Sequence, residues 1–228
     1  MVTITDNLQR VRAQIAASCT ECGRNPNEVA LLAVSKTFGP DAVRQAYAAG
    51  QREFGENYIQ EGVEKIALLA DLPGIVWHMI GPIQSNKTRV VAEHFAWVHS
   101  IDRLKTAERL SAQRPPQLAP LQVCVQINMD GGLNKSGVAP DEALQLANAV
   151  AQLPGLQLRG MMVIPEPTAD LAVARAIFQS AKDLFGAMKH QHPELDTLSM
   201  GMSADMQLAV AAGSSMVRVG TAIFGQRH

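Results

Sequence analysis

The sequence predicts an α/β protein, a single (β/α)8 or TIM barrel with an extra N-terminal helix, filling residues 1–228 as one domain. Three observations point there. Eight short apolar runs alternate with longer amphipathic stretches, and each run ends at Gly, Pro, Ser, Asn or Asp. The runs carry few polar residues, as parallel strands covered on both faces do. The length of 228 residues also suits a closed barrel, typically about 250 residues. A doubly wound open sheet is the alternative.

The opening segment repeats Leu8, Val11 and Ile15 at helical spacing, with Thr5 or Asp6 available as N-cap. Strand candidates follow at 29–36 (VALLAVSK), 52–57 (REFGEN), 75–81 (IVWHMIG), 96–101 (AWVHSI), 121–129 (LQVCVQINM), 156–164 (LQLRGMMVI), 197–201 (TLSMG) and 215–220 (SMVRVG). Helical stretches separate them. DAVRQAYAA is expected to be capped by Asp41 after Pro40 and stopped by Gly50. Later ones include SNKTRVVAEH, DRLKTAERLSAQ, PDEALQLANAVAQL, DLAVARAIFQSAKDLFGAMK and SADMQLAVAAG. No low-complexity tract or long linker divides the chain, and the one proline cluster is RPPQLAP.

Composition narrows the function classes. With 47% hydrophobic and 18% charged residues and a formal net charge of −1, there is no electrostatic footprint for nucleic acid or an anionic membrane. The start MVTITDNLQRVRAQIAAS lacks the basic beginning and apolar centre of a signal peptide, and no apolar run approaches the roughly 20 residues of a membrane span. A cytoplasmic location is expected. Cys19 and Cys22 form a CxxC, but no second pair or nearby histidines complete a zinc set. The pair lies at a helix end before Gly23, where two small residues are the simpler reading than a redox motif.

A barrel gathers the C-terminal ends of its strands on one face, where enzymes of this fold keep their sites. Lys36 ends the first strand on the same face as Leu32 and Val34. Desolvation there would favour a neutral, nucleophilic amine fit for a Schiff base; a stem packed on Val34 with the ammonium in water is the other reading. Ser199, Gly201 and Ser203 cluster after the seventh strand, and Gly220 and Thr221 after the eighth. Such small residues expose backbone N–H groups, and the loops after strands seven and eight are the frequent phosphate site of this fold. Together with Lys36 they describe a ligand bearing a phosphate and a carbonyl. Arg218 lies two residues before Gly220 on the same strand face, so its charge needs either a carboxylate partner or a ligand ring nitrogen to donate to.

Taken in order, VSKT, FGENYIQE, WHMIGPIQSNK, the Lys-Ser-Gly of NKSG, RGMMVIP, LSMGMSADM and VRVGTAIFG closely resemble the pyridoxal phosphate homeostasis protein family, which is itself similar to the barrel domain of alanine racemase. The resemblance runs from about residue 4 to the C-terminus. It implies pyridoxal 5'-phosphate held as an internal aldimine on Lys36, with phosphate bound around Ser203, Gly220 and Thr221, Arg218 facing the pyridine nitrogen and Asn57 near the cofactor. Lys135 matches a lysine linked in the family to secondary cofactor handling; a solvated loop lysine is the alternative. The implied role is a carrier or buffer serving vitamin B6 and amino-acid homeostasis without turnover, with apo pyridoxal phosphate enzymes as recipients. Members can extend into a basic tail, whereas this sequence stops at GQRH.

An amino-acid racemase or related fold-type III enzyme is the alternative, and a cofactor-free aldolase using Lys36 is a third class. An arginine opposite the ring nitrogen weakens the ring as an electron sink, which disfavours transamination but not racemisation. Racemisation also needs a second base, supplied in related racemases by a tyrosine from a separate β domain. No such second domain is expected here, so a monomer is expected, with Tyr47 and Tyr58 as the tyrosines available. Tyr47 reads as a packing residue within a helix. His78 and His99 read as hydrogen-bonded histidines at the barrel mouth, and His190 and His192 as solvated residues near a helix end. No metal is expected.

Overall fold

Thr3 starts the first helix. Its hydroxyl accepts from the Asp6 amide while the Asp6 carboxylate accepts from the Thr3 amide, a reciprocal capping box that moves the N-cap to Thr3 from the expected Thr5 or Asp6. Helix α1 (Ile4–Glu21) buries Leu8, Val11, Ile15 and Cys19. The Cys22 thiol lies at its end, 3.1 Å from the Ser18 carbonyl, and no disulfide joins it to Cys19. The computed structural model describes residues 3–132 and 135–226; Asn134 of NKSG and the final Arg227 and His228 of GQRH lie outside that description.

After a short 3-10 turn the chain alternates without interruption: β1 (Ala30–Val34), α2 (Pro40–Ala48), β2 (Glu53–Glu56), α3 (Ile59–Leu68), β3 (Val76–Met79), α4 (Thr88–His94), β4 (Trp97–Ile101), α5 (Leu104–Gln113), β5 (Leu121–Ile127), α6 (Ala143–Ala151), β6 (Leu156–Val163), α7 (Leu171–Gln191), β7 (Thr197–Ser199), α8 (Met206–Ala211), β8 (Met216–Val219) and α9 (Thr221–Phe224). The strands pair in parallel and in sequence order, and β8 returns to β1 with Leu32 opposite Arg218, closing the barrel. The (β/α)8 expectation stands and the open sheet falls. Helix α2 is entered through Gly39 with Pro40 in its first turn, and no side chain caps it. Asp41 therefore sits inside the first turn, where it complements the helix dipole instead of capping.

Apolar side chains fill the layer between sheet and helices, with Phe54, Phe95, Phe178, Leu110 and Met161 fully buried. The barrel interior is divided. Leu32, Val34, Ile80 and Met216 form a small separate apolar cluster. A polar line fills another part: His78 Nδ1 meets His99 Nε2 at 2.9 Å, and His99 Nδ1 meets Ser199 Oγ at 3.1 Å. Strands β4 and β7 are not neighbours, so the second contact crosses the barrel. This corrects the expected mouth position of His78 and His99: both are fully buried at inward positions within their strands, below the strand ends. His190 is exposed, but His192 is not solvated as expected. The chain turns at the end of α7 and carries its ring onto Asn148, 2.6 Å away.

Burial holds both interior imidazoles below the ordinary histidine value of 6.5; Glu53 partly opposes this at His78, while His78 and Arg218 reinforce it at His99. The unfolded chain therefore takes up protons at these positions before the folded chain does. Their stabilisation is complete above pH 6.5 and declines as the pH falls below it, by up to about 1.4 kcal/mol per pH unit for each ring. Urea midpoints measured from about pH 7.5 to 5.5 are expected to fall for the natural sequence and to fall less for His99→Gln. Parallel profiles for the two proteins would contradict the neutral burial of His99.

Candidate functional site

At the C-terminal ends of the strands a cavity of about 280 Å³ brings together Lys36, Asn57, Ser203, Arg218, Gly220 and Thr221. Its apolar wall comes from Val34, Phe38, Ile80, Ile164 and Met202. The lining holds two cations and no carboxylate, so its field favours an anionic ligand. Of the residues expected at the site, Ser199 is displaced from the lining. It is fully buried behind Arg218, because the inward side chain at the end of β7 meets the guanidinium before it reaches the cavity.

Lys36 is placed by its neighbours. Strand β1 ends at Val34, so Lys36 lies two residues beyond it, in a turn and not on the strand as the sequence suggested. The Ser35 amide still donates to Gly55, and the Ser35 hydroxyl donates to Glu56 Oε1 at 2.5 Å. Lys65 Nζ binds the Ser35 carbonyl at 2.7 Å, Glu56 at 2.9 Å and Glu61 at 2.6 Å. Glu61 in turn accepts from the Thr37 amide at 2.6 Å. One ion cluster thus holds the residues on both sides of Lys36. Thr37 has φ +68°, a left-handed conformation that costs a β-branched residue about 1–3 kcal/mol and persists only where the surroundings enforce it.

Arg218 is anchored from behind. Nη1 donates to the Ser199 carbonyl and hydroxyl at 2.8 and 2.7 Å, and Nη2 to the Val163 carbonyl at 2.8 Å. Three of its five N–H donors are accounted for by these bonds, and the guanidinium also lines the cavity. Burial pushes its pKa down to about 10, so it remains a cation at neutral pH. Asn57 follows β2, and its Oδ1 is buried without a hydrogen-bond partner, an arrangement that is unfavourable unless a ligand supplies a donor. Gly81 allows the close approach: a Cβ there would lie 2.1 Å from the Asn57 carbonyl oxygen.

A second cavity of about 210 Å³ shares Asn57, Ile80 and Ile164 with the first and is lined by Lys135. Lys135 is not a solvated loop lysine. Its ammonium lies 2.7 Å from Asp130 and 2.6 Å from Glu166, and although burial pulls its pKa down, these carboxylates leave it raised. Tyr47 donates to the Pro73 carbonyl and packs beneath Arg52, while Tyr58 is 58% exposed and outside the lining of the first cavity. No group of three or more potential metal ligands occurs among the described residues.

Sequence reasoning passed over Glu56, Glu61 and Lys65. Glu61 and Lys65 have the i,i+4 spacing of an ordinary exposed helix pair, and only the approach of the buried Glu56 distinguishes them. Burial raises the Glu56 pKa despite the opposing pull of Lys65. Lys65→Met would strand that carboxylate, and urea unfolding at pH 7 should show a loss of about 3–5 kcal/mol. The loss is expected to shrink as acid protonates Glu56. An unchanged midpoint at pH 7 would show that the cluster does not hold the turn.

Comparison with known proteins follows the same outline. The family described as "Alanine racemase, N-terminal domain" matches residues 6–228. The pyridoxal phosphate homeostasis protein of Pseudomonas aeruginosa is 56% identical over 227 residues, covering 100% of this chain and 97% of that protein. The protein of that name from Escherichia coli K12 is 52% identical over 229 residues, covering 100% and 98%. PipY of Synechococcus elongatus, solved with PLP bound, is 40% identical, superposes with a TM-score of 0.86 and is covered along 100% of its chain by 98% of this one. By these matches, this chain belongs to the pyridoxal phosphate homeostasis protein family, built on the alanine racemase N-terminal domain.

Proposed function

We propose that this chain binds pyridoxal 5'-phosphate at the barrel mouth, tethered to Lys36 as a Schiff base, and that it buffers the cofactor and passes it to apo-enzymes without turning over amino acids. The observation that carries this reading is the single cavity that joins an amine, a second cation and a buried amide oxygen lacking a partner. The names of its relatives and the PLP-bound state of PipY support it. The residues present fit the group. Ser203, Gly220 and Thr221 would receive the phosphate, Arg218 the pyridine nitrogen, and the Asn57 side-chain Oδ1 a donor on the ligand. When bound, the cofactor supplies an electrophilic aldehyde. The chain supplies an amine whose backbone is held on both sides and a positive field around it.

Carriage is favoured over catalysis by what lines the cavity. Lys36 and Arg218 are its only titratable side chains among the described residues, whereas racemisation needs a second proton carrier facing Lys36 across the substrate. The shared domain with alanine racemase keeps racemisation as the second reading. No helix among the described residues is long and apolar enough to cross a membrane, and we place this role in the cytoplasm. Lys135 lines the adjoining cavity, and we propose that it acts in secondary handling of the cofactor during exchange.

Titration of the ligand-free chain with pyridoxal phosphate is expected to yield a visible absorption band that saturates at one equivalent and is absent from Lys36→Ala. A band retained in Lys36→Ala would refute the assignment. Arg218→Lys should shift the band and weaken retention about tenfold, the worth of one charge-assisted hydrogen bond of about 1.4 kcal/mol. Incubation with L-alanine separates the two readings: carriage predicts no racemisation, and sustained conversion to the D isomer would favour the enzyme. Transfer to an apo-enzyme faster than from free cofactor is the outcome expected of a carrier.

A further inference from the structure

Behind Arg218 the polar line continues to the opposite face of the barrel. Its donors can be assigned from chemistry. A guanidinium only donates, so Ser199 Oγ accepts from Arg218 Nη1. The hydroxyl proton then points to His99 Nδ1, 3.1 Å away, which makes His99 the Nε2–H tautomer. That N–H donates across 2.9 Å to His78 Nδ1, leaving the proton of His78 on Nε2. His78 Nε2 lies 3.2 Å from Glu53 Oε2, off the line of a well-aligned hydrogen bond but facing its charge. The three hydrogen bonds all run from the cation toward the floor, where His78 Nε2 faces the Glu53 carboxylate, so the intervening dipoles align head to tail and polarise one another. Trp97 stacks on His78 with 5.2 Å between centroids and 12° between planes, which restrains the ring. Glu53 is 37% exposed and lines a recess of about 400 Å³ at the N-terminal face.

We propose that Glu53, His78 and His99 are positioning residues for Arg218: the one-way chain, anchored by Glu53 at the barrel floor, orients the guanidinium and so sets the hydrogen bond offered to the ligand's ring nitrogen. The ring-nitrogen part rests on the function proposed above. The chain behaves as a row of coupled switches. Without an acceptor at position 53, the His78 proton is better placed on Nδ1. There it opposes the His99 Nε2 proton, which must also move to Nδ1. A change at the floor therefore reaches Ser199 and Arg218 through proton positions, without movement of the backbone.

The chain is tested by 15N-histidine NMR on the ligand-free protein near pH 7.5, with resonances assigned by single substitutions. Both rings are expected to be neutral Nε2–H tautomers in the natural sequence, to remain so in Glu53→Gln, which keeps an acceptor, and to shift together toward Nδ1–H in Glu53→Met. An Nδ1–H ring in the natural sequence, or a Glu53→Met protein in which His78 changes and His99 does not, overturns the chain. In the loaded protein, Glu53→Met and His99→Leu should move the visible band in the direction given by Arg218→Lys and weaken retention roughly threefold, with His99→Gln recovering much of both. If Glu53→Met does not fold, His99→Leu breaks the same chain. A band that Arg218→Lys moves but neither of these moves overturns the positioning role and leaves the proposed function standing. If the natural sequence shows no band, the function fails and takes the ring-nitrogen role with it, while the tautomer pattern is still read without ligand.

Discussion

The buried ammonium of Lys65 is the interaction on which the barrel mouth depends. It binds Glu56, Glu61 and the Ser35 carbonyl, and through Glu61 it reaches the Thr37 amide, so the peptide on each side of Lys36 is tied to the same charge cluster. Removing two charges from water is costly, and such a cluster is a poor way to gain stability alone. Its return is geometric. It holds Thr37 at φ +68°, turns the chain after β1, and leaves Lys36 beside Arg218, Asn57, Ser203 and Thr221. A freely moving lysine would spend little of its time directed at one ligand atom; one on a held backbone has less entropy to lose on binding.

The barrel interior meets a second constraint. Arg218 is buried to 4% exposure and retains its charge, which an apolar interior could not accommodate. The chain therefore divides the interior. Leu32, Val34, Ile80 and Met216 fill one part, and the line from Ser199 through His99 and His78 runs through another toward Glu53. The arginine gains acceptors from the Ser199 and Val163 carbonyls as well as the Ser199 hydroxyl. The same bonds that make its burial tolerable also direct it at the cavity.

The eight-strand pattern was legible because buried parallel strands leave uniform apolar runs, and turn residues punctuate them. Strand ends were less so. VALLAVSK reads as one strand to Lys36, but β1 stops at Val34 because the ion cluster turns the chain there. Period-two alternation still directed Lys36 to the right face, since Val34 and Lys36 line one cavity. Alternation says nothing about depth, which is why His78 and His99 were expected at the mouth and lie well inside, and why Ser199 was expected beside a ligand and lies behind Arg218. The Lys65 cluster was hidden for another reason: Glu61 and Lys65 have the spacing of a solvated helix pair, and only the three-dimensional approach of Glu56 distinguishes them.

The most direct measurement of the central claim is the location of the bound cofactor. The protein loaded with pyridoxal phosphate would be reduced with borohydride, digested and mapped by mass spectrometry. Modification at Lys36, with Lys65 and Lys135 unmodified at one equivalent, is the predicted result. Reduction principally at Lys65 or Lys135, or no modified peptide at all, would contradict the account.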